Sequence, residues 1–187
     1  YRDEMGSLDV RAALRYLGER AETSLTELNP VVTRRTDDDH LLDAAFHRSA
    51  LEYREERLLR SVAMRMRARL RDGMDSFAAV NEVQDHLVAL ARAHVDRILL
   101  ESFQDALAAL DDAAVRDTLS DTCALFALSR IEADRAWFLE AGYLEAGKSR
   151  AIRRVVGDLA RRTSAAGRTL VDGFGIPETL LPELVRS

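Results

Sequence analysis

The stretch Phe126-Ala-Leu-Ser-Arg-Ile-Glu-Ala-Asp-Arg-Ala-Trp-Phe-Leu-Glu-Ala-Gly-Tyr-Leu144 decides how this chain reads. Its apolar residues recur every three or four positions, which is the period of a helix. It holds the only tryptophan, Trp137, beside Phe138, and it sets Glu132 and Asp134 inside the apolar pattern. A helix that only filled a core would not need that mixture. Trp137, Phe138 and Tyr143 are expected to anchor the segment against a neighbouring helix or domain. Gly142 stands where a left-handed residue would end the helix. Glu132 and Asp134 lie about 200° apart around a helix, so they cannot work as a carboxylate pair. Arg130, four residues before Asp134, predicts a structural ion pair.

The same period extends outward on both sides. Ser7 is a cap for a first helix to about Asn29, with Val10, Leu14, Leu17, Leu25 and Leu28 as its apolar positions. Asn29-Pro30 ends it. Residues 31–42 read as an irregular connector in which Asp37-Asp38-Asp39 is a solvated turn. Asp43 then caps a long helix to Gly73, with Phe46, Ala50, Leu58, Val62, Met66 and Leu70 on its apolar stripe. Asp75 or Ser76 caps a third helix to about Leu110, with Phe77, Val80, Leu87, Ala91, Val95, Ile98, Phe103 and Leu107 as its stripe. Asp111 or Asp112 starts a fourth, through Val115, Leu119, Cys123, Phe126 and Ile131. A fifth covers about 146–171, with a break near Gly167. Gly173-Phe174-Gly175-Ile176-Pro177 forces a turn, and Pro177 suits the start of a short last helix over 178–184. Helices of about 30 residues are about 45 Å long, and short turns force them to pack antiparallel. The fold expected is all-α, an elongated antiparallel bundle of four to five long helices. Its expected division is 1–42, an N-terminal helix and connector, and 43–187, the bundle.

Composition agrees with that. A chain of 187 residues with 47% hydrophobic content can bury a core without disulfides or metal. Cys123 is the only cysteine, so it reads as a small buried hydrophobe. No apolar run reaches the roughly 18 residues of a membrane span. The start at Tyr1, ahead of Met5, reads as a chain cut from something longer, and the closing Val185-Arg186-Ser187 is not a peroxisomal Ser-Lys-Leu signal. Charge is uneven. Seven basic residues between Lys148 and Arg168 face one acid, a segment charge of +6, which leaves −11 to the rest of a chain whose net charge is −5. Arg154, Arg161 and Arg168 recur every seven residues and share a helix face. Such a face either meets an acidic partner or phosphates, or pairs with acids of its own protein. Without interleaved aromatics it does not point to nucleic acid.

Other chemistry finds little support. A di-iron bundle needs Glu-x-x-His on two helices, and Glu82 with His86 has the wrong spacing and no counterpart, so no metal is expected. His40 and His47 are expected to face solvent or a helix end, and His94 to be a hydrogen-bonded residue on a packing face. There is no nucleophile elbow, and Gly173 with Gly175 is not a dinucleotide fingerprint. No catalytic residue is assigned in this segment, and the cofactor-binding residues are left open.

Several of these segments together resemble the C-terminal helical domain of the acyl-CoA oxidase family. Phe126 to Leu144 is similar to one of its signatures. Tyr53-Arg54-Glu55-Glu56-Arg57-Leu58-Leu59 resembles the start of a long helix there. Leu90-Ala91-Arg92-Ala93-His94-Val95 through Leu100-Glu101-Ser102-Phe103 resembles the next helix, and Leu170-Val171-Asp172-Gly173-Phe174-Gly175-Ile176-Pro177 the closing turn. The likeness runs in order over about 43–184. It implies an FAD enzyme of fatty-acid β-oxidation, in which flavin takes a hydride from Cβ of an acyl-CoA while a glutamate removes the α-proton, giving trans-2-enoyl-CoA. That glutamate and the main FAD motifs lie upstream in the family, and no residue here matches them. The resemblance therefore implies a structural domain that packs on upstream catalytic domains and supports a homodimer, inactive alone. The Arg- and Ala-rich composition suggests a bacterial, cytoplasmic protein. The alternative is a free-standing helical interaction protein that binds an acidic partner through the basic 148–168 face.

Overall fold

A computed structural model describes residues 33–177. The helices expected over 7–29 and 178–184 lie outside these residues. Eight helices follow in order among those described: α1 Asp38–Leu41, α2 Ala44–Arg71, α3 Ser76–Glu82, α4 Gln84–Ala108, α5 Ala113–Ala133, α6 Arg135–Glu140, α7 Ala146–Ala165 and α8 Gly167–Gly173. No strand occurs among the described residues. The all-α expectation holds.

The starts are set by aspartates. Asp43 accepts from the amide of Ala45, Asp75 from Phe77 and Ala78, and Asp112 from Ala114 and Val115. Each carboxylate satisfies amides that the first helical turn leaves without partners, and a cap of this kind stabilises by about 1 kcal/mol. Asp37 does the same for α1, accepting from His40 at 3.1 Å, so the acidic run opens a short helix rather than forming a bare turn. Helices end where the backbone turns left-handed, at Gly73 (φ 86°), Gly142 (φ 70°) and Gly175 (φ 58°).

Two long helices expected as continuous are broken. Val83 interrupts the third, between α3 and α4, and is itself fully buried against Val62, Met66 and Ala79. Asp134 separates α5 from α6, and the step carries Phe138 into the centre of the core. The break near Gly167 falls as expected, between α7 and α8.

Helices α2 and α4 form the first main contact and α5 and α7 the second, with α5 packed on both α2 and α4. The α2–α4 pair is antiparallel: Arg48 near the start of α2 reaches Gln104 near the end of α4, and Arg69 near its end reaches Glu82 just before α4 begins. The α5–α7 pair is antiparallel too, since Asp121 meets Arg162 and Glu132 meets Arg153. The main core joins Phe46, Leu51 and Tyr53 of α2 to Leu100 of α4, Leu128 and Ile131 of α5, Phe138 of α6 and Ile152 and Leu159 of α7.

The stripe expected on α2 is correct, with Phe46, Ala50, Leu58, Val62 and Met66 all buried. The stripe expected on the third helix is a mixture of two faces. Leu87, Phe103 and Leu107 pack inward, whereas Phe77, Val95 and Ile98 are 48%, 52% and 41% exposed. Val88 and Leu99 join that outer face. On α5, Cys123 and Ile131 are buried but Val115 is exposed.

Candidate functional site

The signature segment folds into a junction of α2, α5, α6 and the start of α7. Phe138 is fully buried, and Tyr143 is buried with its ring 4.6 Å from Tyr53 and 5.6 Å from Phe138. Trp137 meets Tyr53 and Phe138 edge-on, at 6.1 and 5.2 Å. All three aromatic anchors therefore act within the bundle, although Trp137 keeps part of its ring at the surface. Burial pushes the Tyr143 phenol up to about 12, and its hydroxyl lies 3.1 Å from Ser49 Oγ.

The acids of this segment are structural, but one pairs with a different arginine from the one expected. Asp134 reaches Arg54 of α2 at 2.9 Å, while Arg130 turns to Asp96 of α4 at 3.4 Å. The backbone keeps the helical i, i+4 bond from the Asp134 amide to the Arg130 carbonyl, but the two side chains turn to partners on other helices. Arg54 is buried and also lies 6.0 Å from the Trp137 ring centroid. Glu132 pairs with Arg135 at 2.9 Å and Arg153 at 3.4 Å.

A second polar cluster joins α2 to α4. Glu55 accepts from Arg97 Nε and, at 2.9 Å, from His94 Nδ1, and Arg97 holds both oxygens of Glu101 at 2.7 Å. Burial opposes ionisation of Glu55, but the hydrogen bonds and charges of Arg97 and His94 outweigh it, and the carboxyl lies below its ordinary range. A carboxylate so held is a strut between helices; a general base needs a pKa near working pH. His94 is hydrogen-bonded as expected, though its side chain is 54% exposed.

The third cluster decides between the two places expected for its histidines. His40 and His47 do not face solvent; both are buried, at the end of α1. His47 donates from Nε2 to the Leu41 carbonyl at 2.7 Å, which ties α2 to the end of α1. His40 stacks on Phe46 with centroids 4.6 Å apart, and its Nε2 lies 2.8 Å from Nζ of Lys148. Lys148 is fully buried, with Nζ 3.9 Å from the Phe46 centroid. Burial, joined by the charge of Arg35, pushes its ammonium down to about 8. Burial and the Lys148 charge push His40 below its ordinary value, and burial does the same to His47. Sequence reading counted Lys148 as one more surface charge. The sign that could have found it is its place at the first turn of α7, four residues before Ile152, on the buried side of that helix.

Cys123 is buried, and burial pushes its thiol up to about 11, which leaves it unreactive. Among the described residues no group of three or more His, Cys, Asp and Glu converges as metal ligands, and no helix is long and apolar enough to cross a membrane. The left-handed glycines all end helices, and four helix starts carry aspartates. These residues offer no glycine turn feeding a helix N-terminus of the kind that cradles a flavin pyrophosphate.

Comparison with known proteins follows the same lines. The model of the family described as Acyl-CoA oxidase matches residues 43–182. The chain belongs to the acyl-CoA oxidase family. It is 30% identical over 178 residues to acyl-coenzyme A oxidase 2, peroxisomal, of Arabidopsis thaliana, covering 95% of this chain and 26% of that protein. It is 25% identical over 152 residues to peroxisomal acyl-coenzyme A oxidase 1 of Phascolarctos cinereus, covering 81% of this chain and 22% of that one. The fold matches that of acyl-CoA oxidase-1 of Caenorhabditis elegans, solved with FAD and ATP, at a TM-score of 0.72 and 17% identity, over 88% of this chain and 26% of that one. The chain thus spans about a quarter of the length of these acyl-CoA oxidases. They come from a plant and two animals, and the bacterial reading of the composition finds no support in them.

Proposed function

We propose that this chain is the C-terminal helical domain of an FAD-dependent acyl-CoA oxidase that converts acyl-CoA to trans-2-enoyl-CoA in fatty-acid β-oxidation. Residues 43–187 form that domain, and 1–42 lead into it. Its role is structural: it packs on the catalytic domains of the same polypeptide and supports a homodimer. FAD would be held upstream, where it takes up the hydride; no step of that transfer involves a residue described here.

One observation carries the structural role. Helix α4 presents Val88, Val95, Ile98 and Leu99 outward, 44%, 52%, 41% and 51% exposed, with Ala91 exposed among them. Such a contiguous apolar face marks an interaction surface, and about three quarters of the relatives' length lies outside this chain. The competing interaction-protein reading loses its surface. In the 148–168 segment, Arg153, Arg154, Arg161, Arg162 and Arg168 each lie within 4.0 Å of a carboxylate of this same chain.

The test compares the 187-residue chain with the natural polypeptide that contains it. The short chain should be colourless and produce no hydrogen peroxide from acyl-CoA with added FAD. The longer one should be yellow and oxidise the substrate. In it, Val95→Asp with Leu99→Asp should lower flavin retention and the dimer fraction together. A yellow, active short chain, or unchanged assembly in the double variant, would overturn the reading.

A further inference from the structure

Two surfaces left uncovered among the described residues carry complementary chemistry. The first lies beside Trp137, where a groove of about 340 Å³ opens between α2 and α6, with Arg57, Met64, Trp137 and Glu140 in its lining. Trp137 is held there by the edges of Tyr53 and Phe138 and by Arg54 behind it. A ring held in place loses little freedom when another group packs on it. Met64 is 58% exposed. Arg57 rests over the Tyr53 ring at 5.7 Å and meets no carboxylate among the described residues. Arg60 already has a partner within the chain, so Arg57 is the cation that the groove leaves open. Tryptophan, methionine and arginine are the side chains enriched where proteins meet. Glu140, the one acid in the lining, repels any carboxylate that enters. The groove therefore suits an apolar side chain whose own acid stays outside, on Arg57.

The second surface is the tip that closes α8. Val171, Phe174 and Ile176 are 62%, 77% and 51% exposed, and Phe174 is the most exposed of the large apolar residues described. Asp172 stands two residues before it and meets only Arg168, at 4.0 Å. From Thr169 to Leu184 the sequence holds three acids and no base. Gly173 and Gly175 flank Phe174, and Gly175 takes φ 58°, so the ring is carried out on a narrow turn. It does not fill the groove of its own molecule. The groove lies near the start of α7, which α6 precedes, whereas α8 follows the other end, and the 20 residues of α7 span about 30 Å. A polyanion on the groove would leave Trp137 and Met64 in water, and a purely apolar segment would strand Arg57. The tip supplies both an apolar anchor and an acid.

We propose that the α8 tip of one copy docks in the Trp137 groove of a second copy, with Phe174 against Trp137 and Met64 and Asp172 on Arg57. Two copies related by a two-fold axis exchange tips reciprocally, which closes the contact at a dimer. The inference deepens the homodimer reading and rests on it, but it uses no residue of the α4 face, so the two fail separately.

Sedimentation equilibrium of the 187-residue chain should show monomer and dimer exchanging with a Kd of about 0.1 mM or tighter. Trp137 is the only tryptophan, so its emission reports the groove alone and should shift over the same concentration range. Phe174→Asp and Arg57→Glu should each weaken both readouts about tenfold or more. Their thermal midpoints should stay unchanged, because both residues are exposed. Asp172→Arg should weaken association too, yet combined with Arg57→Glu it should recover affinity lost in either single variant, which is the mark of a direct pair. Arg150→Glu on α7 should change nothing. Val95→Asp with Leu99→Asp should leave the concentration dependence of Trp137 emission as it is. A chain that stays monomeric at about 1 mM would overturn the proposal. So would normal association of Phe174→Asp, no recovery in the charge-swapped chain, or a Trp137 shift abolished by the α4 variant. None of these results touches the α4 packing face, whose own test is flavin retention in the longer polypeptide.

Discussion

The segments 148–168 and 57–71 each carry a formal charge of +6. In the first, Lys148 is buried beside His40 and Phe46, and five of the six arginines lie within 4.0 Å of acids: Arg153, Arg154 and Arg162 meet Glu132, Asp38 and Asp121 on other helices, while Arg161 meets Asp158 within α7 and Arg168 meets Asp172 within α8. In the second, Arg69 meets Glu82 and Arg71 meets Asp72, but Arg57 and Arg67 meet no acid among the described residues. Equal charge thus has opposite uses. What separates the two is the packing partner. Helix α7 lies against α5 and α1, which bring carboxylates to it, whereas the outer face of α2 has no helix of the described residues over it. Segment charge by itself does not locate a docking face; the charge left after the fold has paired its own groups does.

Charge reversal gives the widest separation between the two segments. Lys148→Glu would put a carboxylate in a fully buried site, beside an aromatic face that favours cations. The expected loss is about 3–5 kcal/mol, the cost of an uncompensated buried charge. Arg57→Glu, on an exposed stretch of α2, should change stability by no more than about 0.5 kcal/mol. Denaturant melts of the two variants check this, and similar losses in both would break the contrast.

Titration sharpens it. The folded chain holds Lys148 at about 8, against an ordinary value of 10.5. Between those values the unfolded chain keeps a proton that the folded chain has shed, so stability rises with pH across that window. Below about 8 both states are protonated and the contribution is flat. Two residues near by act in the same direction at lower pH. His40 and His47 are held below their ordinary 6.5, so acidification past that value favours the unfolded chain. Among the described residues, Lys148 faces His40 on α1, with Arg35 and Asp37 just before it. Relative to Lys148→Met, the wild-type thermal midpoint should therefore climb from pH 8 toward 10.5. Parallel curves for the two proteins would show that the ammonium is not held down.

Much of the fold was legible in the chain because it rests on local rules. Asp43, Asp75 and Asp112 cap where short acids precede apolar periods, and Gly73 and Gly142 end helices where only a left-handed residue fits. The outer stripe of α4 was not legible. Val88, Val95 and Leu99 share a period with buried positions, and a helix that is apolar on two sides does not say which side meets its own bundle. The Arg54–Asp134 pair and the Lys148–His40 contact join residues 80 and 108 positions apart, beyond the reach of any helical spacing. The groove at Trp137 was half legible. Trp137 stood out as an anchor, but Arg57 and Arg60 line the same groove from α2, far away in the sequence and beyond any helical spacing.

The smallest effect is the one that tests the pairing directly. Arg162 and Asp121 link α7 to α5 at 3.0 Å, with side chains 52% and 34% exposed. Water screens a pair so placed, so its coupling should be about 0.2–1 kcal/mol. A double-mutant cycle with Arg162→Ala and Asp121→Ala isolates that term, because each single variant removes the pair and the double shows what remains. The coupling should shrink as salt is raised toward molar, where the screening length falls to about 3 Å. Arg67→Ala on α2 has no acid to lose, so it should show no destabilisation; removing a cation from a row of like charges should leave stability level or slightly higher at low salt, with the gain vanishing as salt rises. A coupling of zero at Arg162, together with a loss at Arg67, would mean that the two segments had been assigned the wrong way round.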